Sequence, residues 1–409
     1  MSIVVQKFGG TSVGSIERIQ AVAEIIARTY EQGKRCVAVV SAMGKSTDQL
    51  VGMAKEIHPH PSPREMDMLL ATGEQVSIAL LTMALHRKGL KARSLTGWQA
   101  GITTDCVHGR AMVHDVYTET ITTALDQGEI VVVAGFQGIS SQREITTLGR
   151  GGSDTTAVVL AAALGADYCE IYTDVEGVYT ADPRVIPAAQ KMDEISYQEM
   201  LELAHLGAGV LHPRSVEAAL RNKVKLVVRS SFVNESGTWI KGENEMETSH
   251  HVSGIAHDLQ VARIKVLGLP NHEETLTRLF GLLAEAHINV DIIVQSEHDH
   301  ERVDVAFSVN EEEGLEARQV LEAAQSELDF AKILYEGGLA KVSAVGVGMM
   351  ARPGVAAKMF ATLSEAGIRV KMVSTSEIKI SCVVEREQAL EGARRLHSAF
   401  GLDRIEVKV

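Results

Sequence analysis

Through the first half of the chain, short runs of β-branched residues alternate with longer stretches in which apolar positions recur every three or four residues. Residues 3–6, 36–40, 130–134 and 168–173 are strand-like runs of the length of a buried strand. The spacing predicts helices over 15–32, onward through residue 83, and over 153–165, the last built from small residues. Alternation of this kind predicts an α/β architecture, a sheet buried between helix layers.

Residues 234–258 break the rhythm with a polar stretch that runs through Lys241-Gly242-Glu243 to His250 and His251, and they read as a linker. Past it the sequence repeats itself. Residues 279–297 align with 359–377, so that Phe280 matches Phe360, Leu283 matches Leu363, Ile288 matches Ile368 and Glu297 matches Glu377. Each copy offers a strand, a loop, a helix and further β-rich sequence. This predicts two small βαββ-type units, over 259–337 and 338–409, behind a larger domain over 1–233.

A length of 409 residues with 45% hydrophobic content suits two or three cores better than one. No apolar stretch runs uncharged for long enough to predict a membrane span, and the start has neither a basic region nor a cleavage-like segment, so a cytoplasmic location is expected. Cys36, Cys106, Cys169 and Cys382 lack metal or CxxC spacing and read as reduced thiols. A net charge of −13 argues against nucleic acid as a main partner, so anionic ligands must be met by local positive groups. None of the 15 histidines has convincing metal-ligand spacing.

Two segments supply such groups. Lys7-Phe8-Gly9-Gly10-Thr11-Ser12 follows a strand and precedes a helix, where glycines let amides approach phosphate oxygens and the lysine adds charge. A tight turn alone accounts for the glycines but not for the lysine and two hydroxyls. Arg150 opens into Gly151-Gly152-Ser153-Asp154 at a helix start, where a guanidinium can grip a carboxylate through two parallel bonds. Asp154 also suits a helix cap, and Asp174 and Asp182 suit turns.

The Lys7–Val13 segment resembles the signature of the aspartate kinases within the amino acid kinase family. Val40-Ser41-Ala42-Met43-Gly44 with Thr47-Asp48, Gly73-Glu74, 148–156 and 172–184 resemble the family's further nucleotide and substrate segments in order and spacing. The resemblance implies a three-layer α/β/α amino acid kinase domain followed by two ferredoxin-like βαββαβ ACT domains. It implies ATP and Mg²⁺ as cofactors and transfer of the γ-phosphate to the side-chain carboxylate of L-aspartate, the first step toward lysine, threonine, methionine and diaminopimelate. Lys7 and Asp154 would be catalytic. Aspartate would be held by Thr47, Glu74, Arg150, Gly151, Ser153 and Asp154, with Arg150 on its α-carboxylate. The nucleotide would meet Lys7, Phe8, Gly9, Gly10, Ser41, Thr173, Asp174, Tyr179, Asp182 and Arg184.

A carboxylate nucleophile is already ionised at neutral pH and needs no general base. The sequence departs from the family at Gly209, where many members carry a lysine that reaches the phosphates; a glycine there resembles the Bacillus-type lysine-responsive form. Arg184, Lys191 and Arg214 are the candidates to replace that charge.

By the same resemblance, Asn289, Asp291, Gln295, Thr375, Ser376 and Glu377 would contact an amino-acid effector, lysine or threonine or both, beside the turn Arg352-Pro353-Gly354-Val355. The loop 270–274 lacks the Asp-x-Pro-Gly pattern common at its place. Paired ACT domains imply a homodimer, or an α2β2 assembly with a shorter chain started at Met246. Other amino acid kinases, acting on glutamate, acetylglutamate, carbamate or UMP, fit the context of Thr47, Glu74 and Arg150 less well. An amino-acid-binding regulator with an inactive kinase domain is the alternative of a different class.

Overall fold

The structure, a computed structural model, describes residues 2–207, 209–242, 251–297, 300–349 and 353–404. Met246 and Arg352 lie outside the described residues. The chain divides into two compact units, one of Met1–Val178, Lys191–His205 and Gly209–Glu247, the other of Tyr179–Gln190, Leu206–Ala208 and Thr248–Val409.

The first unit opens with β1 (Ile3–Phe8), α1 (Ile16–Glu31), β2 (Arg35–Val40), α2 (Ser46–Ile57) and α3 (Pro63–Arg87). It continues through β3 (Ala92–Leu95), β4 (Ile102–Thr104), β5 (Val113–Val116), α4 (Glu119–Asp126), β6 (Ile130–Ala134), β7 (Gln137–Ser140) and β8 (Ile145–Thr147). It closes with α5 (Gly152–Ala163), β9 (Tyr168–Thr173), β10 (Glu194–Ser196), α6 (Tyr197–His205), α7 (Pro213–Asn222), β11 (Leu226–Ser230) and β12 (Thr238–Lys241). Eight strands form the central sheet in the order β10-β12-β11-β9-β1-β2-β6-β3. Neighbours from β9 through β1 and β2 to β6 run parallel, so the loops that follow these strands gather at one edge.

Strands as apolar as β2 and β6 are what a sheet covered on both faces requires. Phe8, Val40, Val132 and Ala134 pack with Ile19, Ala23 and Ile26 of α1 and Leu81 and Leu85 of α3, while α5 lies against β1, β2 and β9 and packs on α7. A four-stranded sheet, β5-β4-β7-β8, carries the remaining strands and meets α3 through β8. By length and composition α3 holds an 18-residue stretch apolar enough to cross a membrane, with a mean hydropathy of 1.5, although Glu74 interrupts it. It packs on α1, α2 and the strands, and its buried residues include Asp67 and Glu74.

The second unit contains β13 (Gly254–Pro270), α8 (Thr275–Glu285), β14 (Val290–Glu297), β15 (Arg302–Asn310), α9 (Glu311–Ala323), α10 (Gln325–Leu328) and β16 (Lys332–Val345). The second repeat adds α11 (Val355–Glu365), β17 (Met372–Thr375), β18 (Lys379–Glu385) and α12 (Arg386–Ala399). All six strands form one sheet in the order β14-β15-β13-β16-β18-β17. The two repeats therefore share a sheet, and they exchange strands. The later part of β13 pairs with β15 and with the start of β16, completing the first ferredoxin-like unit. Its earlier part, Gly254 to Asp258, pairs with the end of β16, Lys341 to Val345, and completes the second.

The stretch read as a linker thus contains β12, which belongs to the first unit's sheet, and the opening of β13. Residues 179–190, read as part of the larger domain, cluster with the second unit for an apolar reason. Ala181, Ile186 and Ala189 are buried in one core with Val252, Met349, Ala393 and Leu396. The Ile255 amide donates to the Thr180 carbonyl at 2.8 Å, and Thr180 Oγ1 lies 2.9 Å from Nε2 of the fully buried His397.

Candidate active site

Side chains alternate along a strand, so β1 sends Lys7 and Phe8 to opposite faces at its C-terminal end. Phe8 is fully buried and stacks on Tyr172, with ring centroids 4.8 Å apart. Its side chain belongs to the core, which leaves only its backbone for the nucleotide contact expected from sequence. Lys7 turns toward α5, where its Nζ lies 2.6 Å from Asp154 Oδ1, the two side chains being 11% and 12% exposed. The approach falls outside hydrogen-bond angles, so the contact is an ion pair of two poorly hydrated charges.

Two loops close on this pair because glycine allows it. A Cβ at Gly10 would stand 3.0 Å from the Ala42 carbonyl oxygen and 3.2 Å from that of Gly44, and the Gly44 amide donates to the Gly10 carbonyl at 3.0 Å. On the other side, α5 starts after Gly149-Arg150-Gly151, with φ of +75° at Gly149 and +69° at Gly151. A side chain at Gly151 would also meet His212 Cβ at 2.2 Å. The turn holds Arg150 out at the rim, where its guanidinium makes no hydrogen bond or ion pair among the described residues.

Glu74, on α3, forms the opposite wall. Its Oε1 accepts the Ala42 amide at 3.1 Å, while Oε2 is buried without a partner among the described residues. Burial pushes its pKa from the ordinary 4.5 up to about 7, with backbone hydrogen bonds pulling the other way. A half-satisfied carboxylate is the complement of an ammonium group. Together Lys7, Gly10, Ser41, Thr47, Glu74, Arg150, Gly151, Ser153 and Asp154 line one cavity of about 900 Å³, a size that suits an amino acid with a phosphate tail.

Gly9, Thr173 and Asp174 lie just beyond that lining. The Gly9 amide donates to the Tyr172 carbonyl at 3.3 Å, and Thr173 Oγ1 donates to Asp174 Oδ1 at 3.1 Å. Tyr179, Asp182 and Arg184 cluster with the second unit, where Arg184 Nη2 pairs with Asp182 at 2.9 Å and lowers its pKa. Of the charges proposed to replace a lysine at Gly209, Arg214 is committed to the carbonyls of Leu148 at 2.6 Å and Ala111 at 3.0 Å. Lys191 lies 3.5 Å from Glu235.

The cavity is also lined by Asp67, His108, Phe136 and Thr147, which the sequence reading missed. Only Asp67 left a signal there, as a charge between Met66 and Met68 at the start of α3. Among the described residues no group of three His, Cys, Asp or Glu side chains could hold a metal by itself. Magnesium bound through phosphate oxygens needs only one or two carboxylates, and Asp154 on the cavity wall is one.

In the second unit, the six expected effector residues are exposed on or beside β14 and β17, the two edge strands. Asp291 is paired with the buried Lys341, which answers its charge within the protein. A cavity of about 460 Å³ lies next to these edges, lined by Val294, Ser296, Lys371 and Val373 among others.

The amino acid kinase family model matches residues 2–230, and an ACT domain model matches residues 342–400. The aspartokinase of Geobacillus stearothermophilus is 57% identical over 402 residues, covering 98% of each chain. The crystal structure of E. coli aspartokinase III in complex with aspartate and ADP (R-state) superposes with a TM-score of 0.82 at 28% identity, covering 97% of this chain and 99% of that one. The same enzyme in complex with lysine and aspartate (T-state) gives a TM-score of 0.76, also at 28% identity, covering 97% and 99%.

The raised pKa of Glu74 has a stability consequence. A carboxyl that prefers its neutral form when folded contributes stability that is fully present below its unfolded pKa near 4.5 and lost as pH rises through about 7. Glu74→Gln stays neutral throughout. Its melting temperature is expected to exceed that of the parent by more at pH 8 than at pH 5, by up to about 3 kcal/mol in stability. Equal differences at the two pH values would contradict the assignment.

Proposed function

The chain belongs to the aspartokinase family, and on that footing we propose how its cavity transfers the γ-phosphate of ATP to the side-chain carboxylate of L-aspartate. The observation that carries the proposal is the arrangement of unlike charges around one cavity: Lys7 paired with Asp154, Glu74 with one oxygen unpartnered, and Arg150 unpaired at the rim among the described residues. An amino acid presents an ammonium and an α-carboxylate. Glu74 takes the ammonium, and Arg150 grips the α-carboxylate with two parallel hydrogen bonds. Thr47, Gly151 and Ser153 offer further polar contacts. The β-carboxylate is thereby aimed at the Lys7 side.

The phosphate tail of ATP lies along Lys7, the Phe8–Gly10 backbone and Ser41, with Thr173 and Asp174 toward the nucleoside. Asp154 keeps the Lys7 ammonium oriented. A β-carboxylate oxygen attacks the γ-phosphorus, the bond from phosphorus to the β–γ bridging oxygen breaks, and ADP leaves. The product is 4-phospho-L-aspartate, a mixed anhydride. No proton is removed in the step, so the residues act by alignment and by neutralising charge on the phosphoryl oxygens. Magnesium, when bound with the nucleotide, supplies further neutralisation there. Such a product belongs to the opening of a biosynthetic route to lysine, threonine and methionine, a cytoplasmic role.

The paired ACT repeats make the enzyme a regulated one, with lysine, threonine or both as effectors. The lysine complex of E. coli aspartokinase III supports lysine. The exposed edges β14 and β17 carry the expected contact residues and are open for pairing with a second chain, as a homodimer or with a shorter chain from Met246. An effector changes activity only by binding one arrangement of the enzyme better than another.

ADP release in the presence of MgATP is expected to depend on aspartate, with little turnover of glutamate or UMP. Arg150→Ala is expected to raise the KM for aspartate by on the order of a hundred-fold while the KM for ATP moves by less than about three-fold. Absence of aspartate-dependent turnover in the parent enzyme would overturn the reading. For the regulatory unit, calorimetric titration should show saturable binding of lysine or threonine; no heat with either would remove the effector claim.

A further inference from the structure

Asp67 has no exposed surface, yet no lysine or arginine pairs with it among the described residues. Its carboxylate is held by three donors from two segments distant in sequence. Oδ2 accepts His108 Nδ1 at 2.7 Å, both oxygens accept the Gly109 amide at 3.0 and 3.1 Å, and Oδ1 accepts Thr147 Oγ1 at 2.5 Å. A carboxylate facing these donors only accepts, so His108 carries its proton on Nδ1. The other ring nitrogen makes no hydrogen bond among the described residues, and His108 lines the same cavity as Glu74.

Both tethered segments bear on the Arg150 turn. Thr147 ends β8, three residues before Arg150, and its carbonyl accepts the Ala111 amide at 2.9 Å. Gly109 belongs to the loop between β4 and β5, which Asp105 closes by accepting the amides of Val107 and Met112 at 3.1 and 3.2 Å. That loop backs directly on Gly149, where a Cβ would stand 3.0 Å from the Gly109 carbonyl oxygen. Asp67 lies two helical turns before Glu74 on one face of α3.

We propose that Asp67 is a positioning residue for the acceptor amino acid: through His108, Gly109 and Thr147 it fixes the wall against which the Gly149-Arg150 turn rests, and it sets Arg150 at its working distance from Glu74. The proposal rests on Arg150 as the carboxylate-binding residue. Removing one charged acceptor from a buried network costs its partners their hydrogen bonds, and a loosened turn weakens a two-point grip more than it weakens nucleotide binding.

The test is a double-mutant cycle by steady-state kinetics. Asp67→Asn is expected to raise the KM for aspartate about ten-fold or more with the KM for ATP within about three-fold. In an Arg150→Ala background the same substitution should change the aspartate KM by less than about two-fold, because the group it positions is gone. His108→Gln and Thr147→Val each remove one bond and should give smaller shifts in the same parameter; they carry the test if Asp67→Asn does not fold. Additive effects of Asp67→Asn and Arg150→Ala, or equal rises in both KM values, would overturn the positioning role. A normal aspartate KM in Arg150→Ala alone would overturn the underlying reading of Arg150, and the proposal with it.

Discussion

Charges held out of water at the end of a parallel sheet set the terms for the rest of the first unit. Lys7 and Asp154 neutralise one another at 2.6 Å, with little solvent at either. Burying two ions is unfavourable unless geometry and surroundings compensate, and here the surroundings are a helix start and two glycine loops. The buried apolar strands hold those loops in register. Glu74, across the cavity, is left half answered: one oxygen has a backbone donor and the other has none among the described residues. The ammonium that the proposed mechanism brings to Glu74 would relieve that cost. On that proposal, substrate binding and folding stability are coupled through one carboxylate.

The second unit solves a different problem with the same economy of parts. Two ferredoxin-like repeats share one sheet, and each is completed by a strand from the other's neighbourhood, since β13 serves the first repeat at one end and the second at the other. Neither repeat is complete without that long strand. Residues 179–190 add Ala181, Ile186 and Ala189 to the same core, although the chain on both sides of them belongs to the first unit. Part of the segment expected from sequence to meet the nucleotide is thus built into the second unit's packing.

Much of this was readable from sequence, and the exceptions have physical causes. Apolar runs and small-residue periodicity marked β1, β2, β6, β9 and α5, because strands and helices buried on all sides leave strong local patterns. Lys7, Glu74 and Arg150 were legible as motif residues beside glycines. Phe8 was placed with the nucleotide because motif position says nothing about which face a strand residue takes; strand alternation buries it on Tyr172. Asp67 and His108 went unread because their roles arise from tertiary neighbours 41 residues apart. The strand exchange was invisible for the same reason: Gly254 to Asp258 looked polar and irregular, and only pairing with β16 makes them a strand.

In the proposed mechanism Glu74 meets the ammonium of the acceptor amino acid from a partly protonated state. Calorimetric titration of aspartate at pH 7, repeated in buffers of different ionisation enthalpy, measures protons exchanged on binding. A carboxyl with a pKa of about 7 that becomes ion-paired should release up to about half a proton per aspartate bound, a release that disappears in Glu74→Gln. Binding with no proton release in the parent enzyme, or the same release in the variant, would contradict the account.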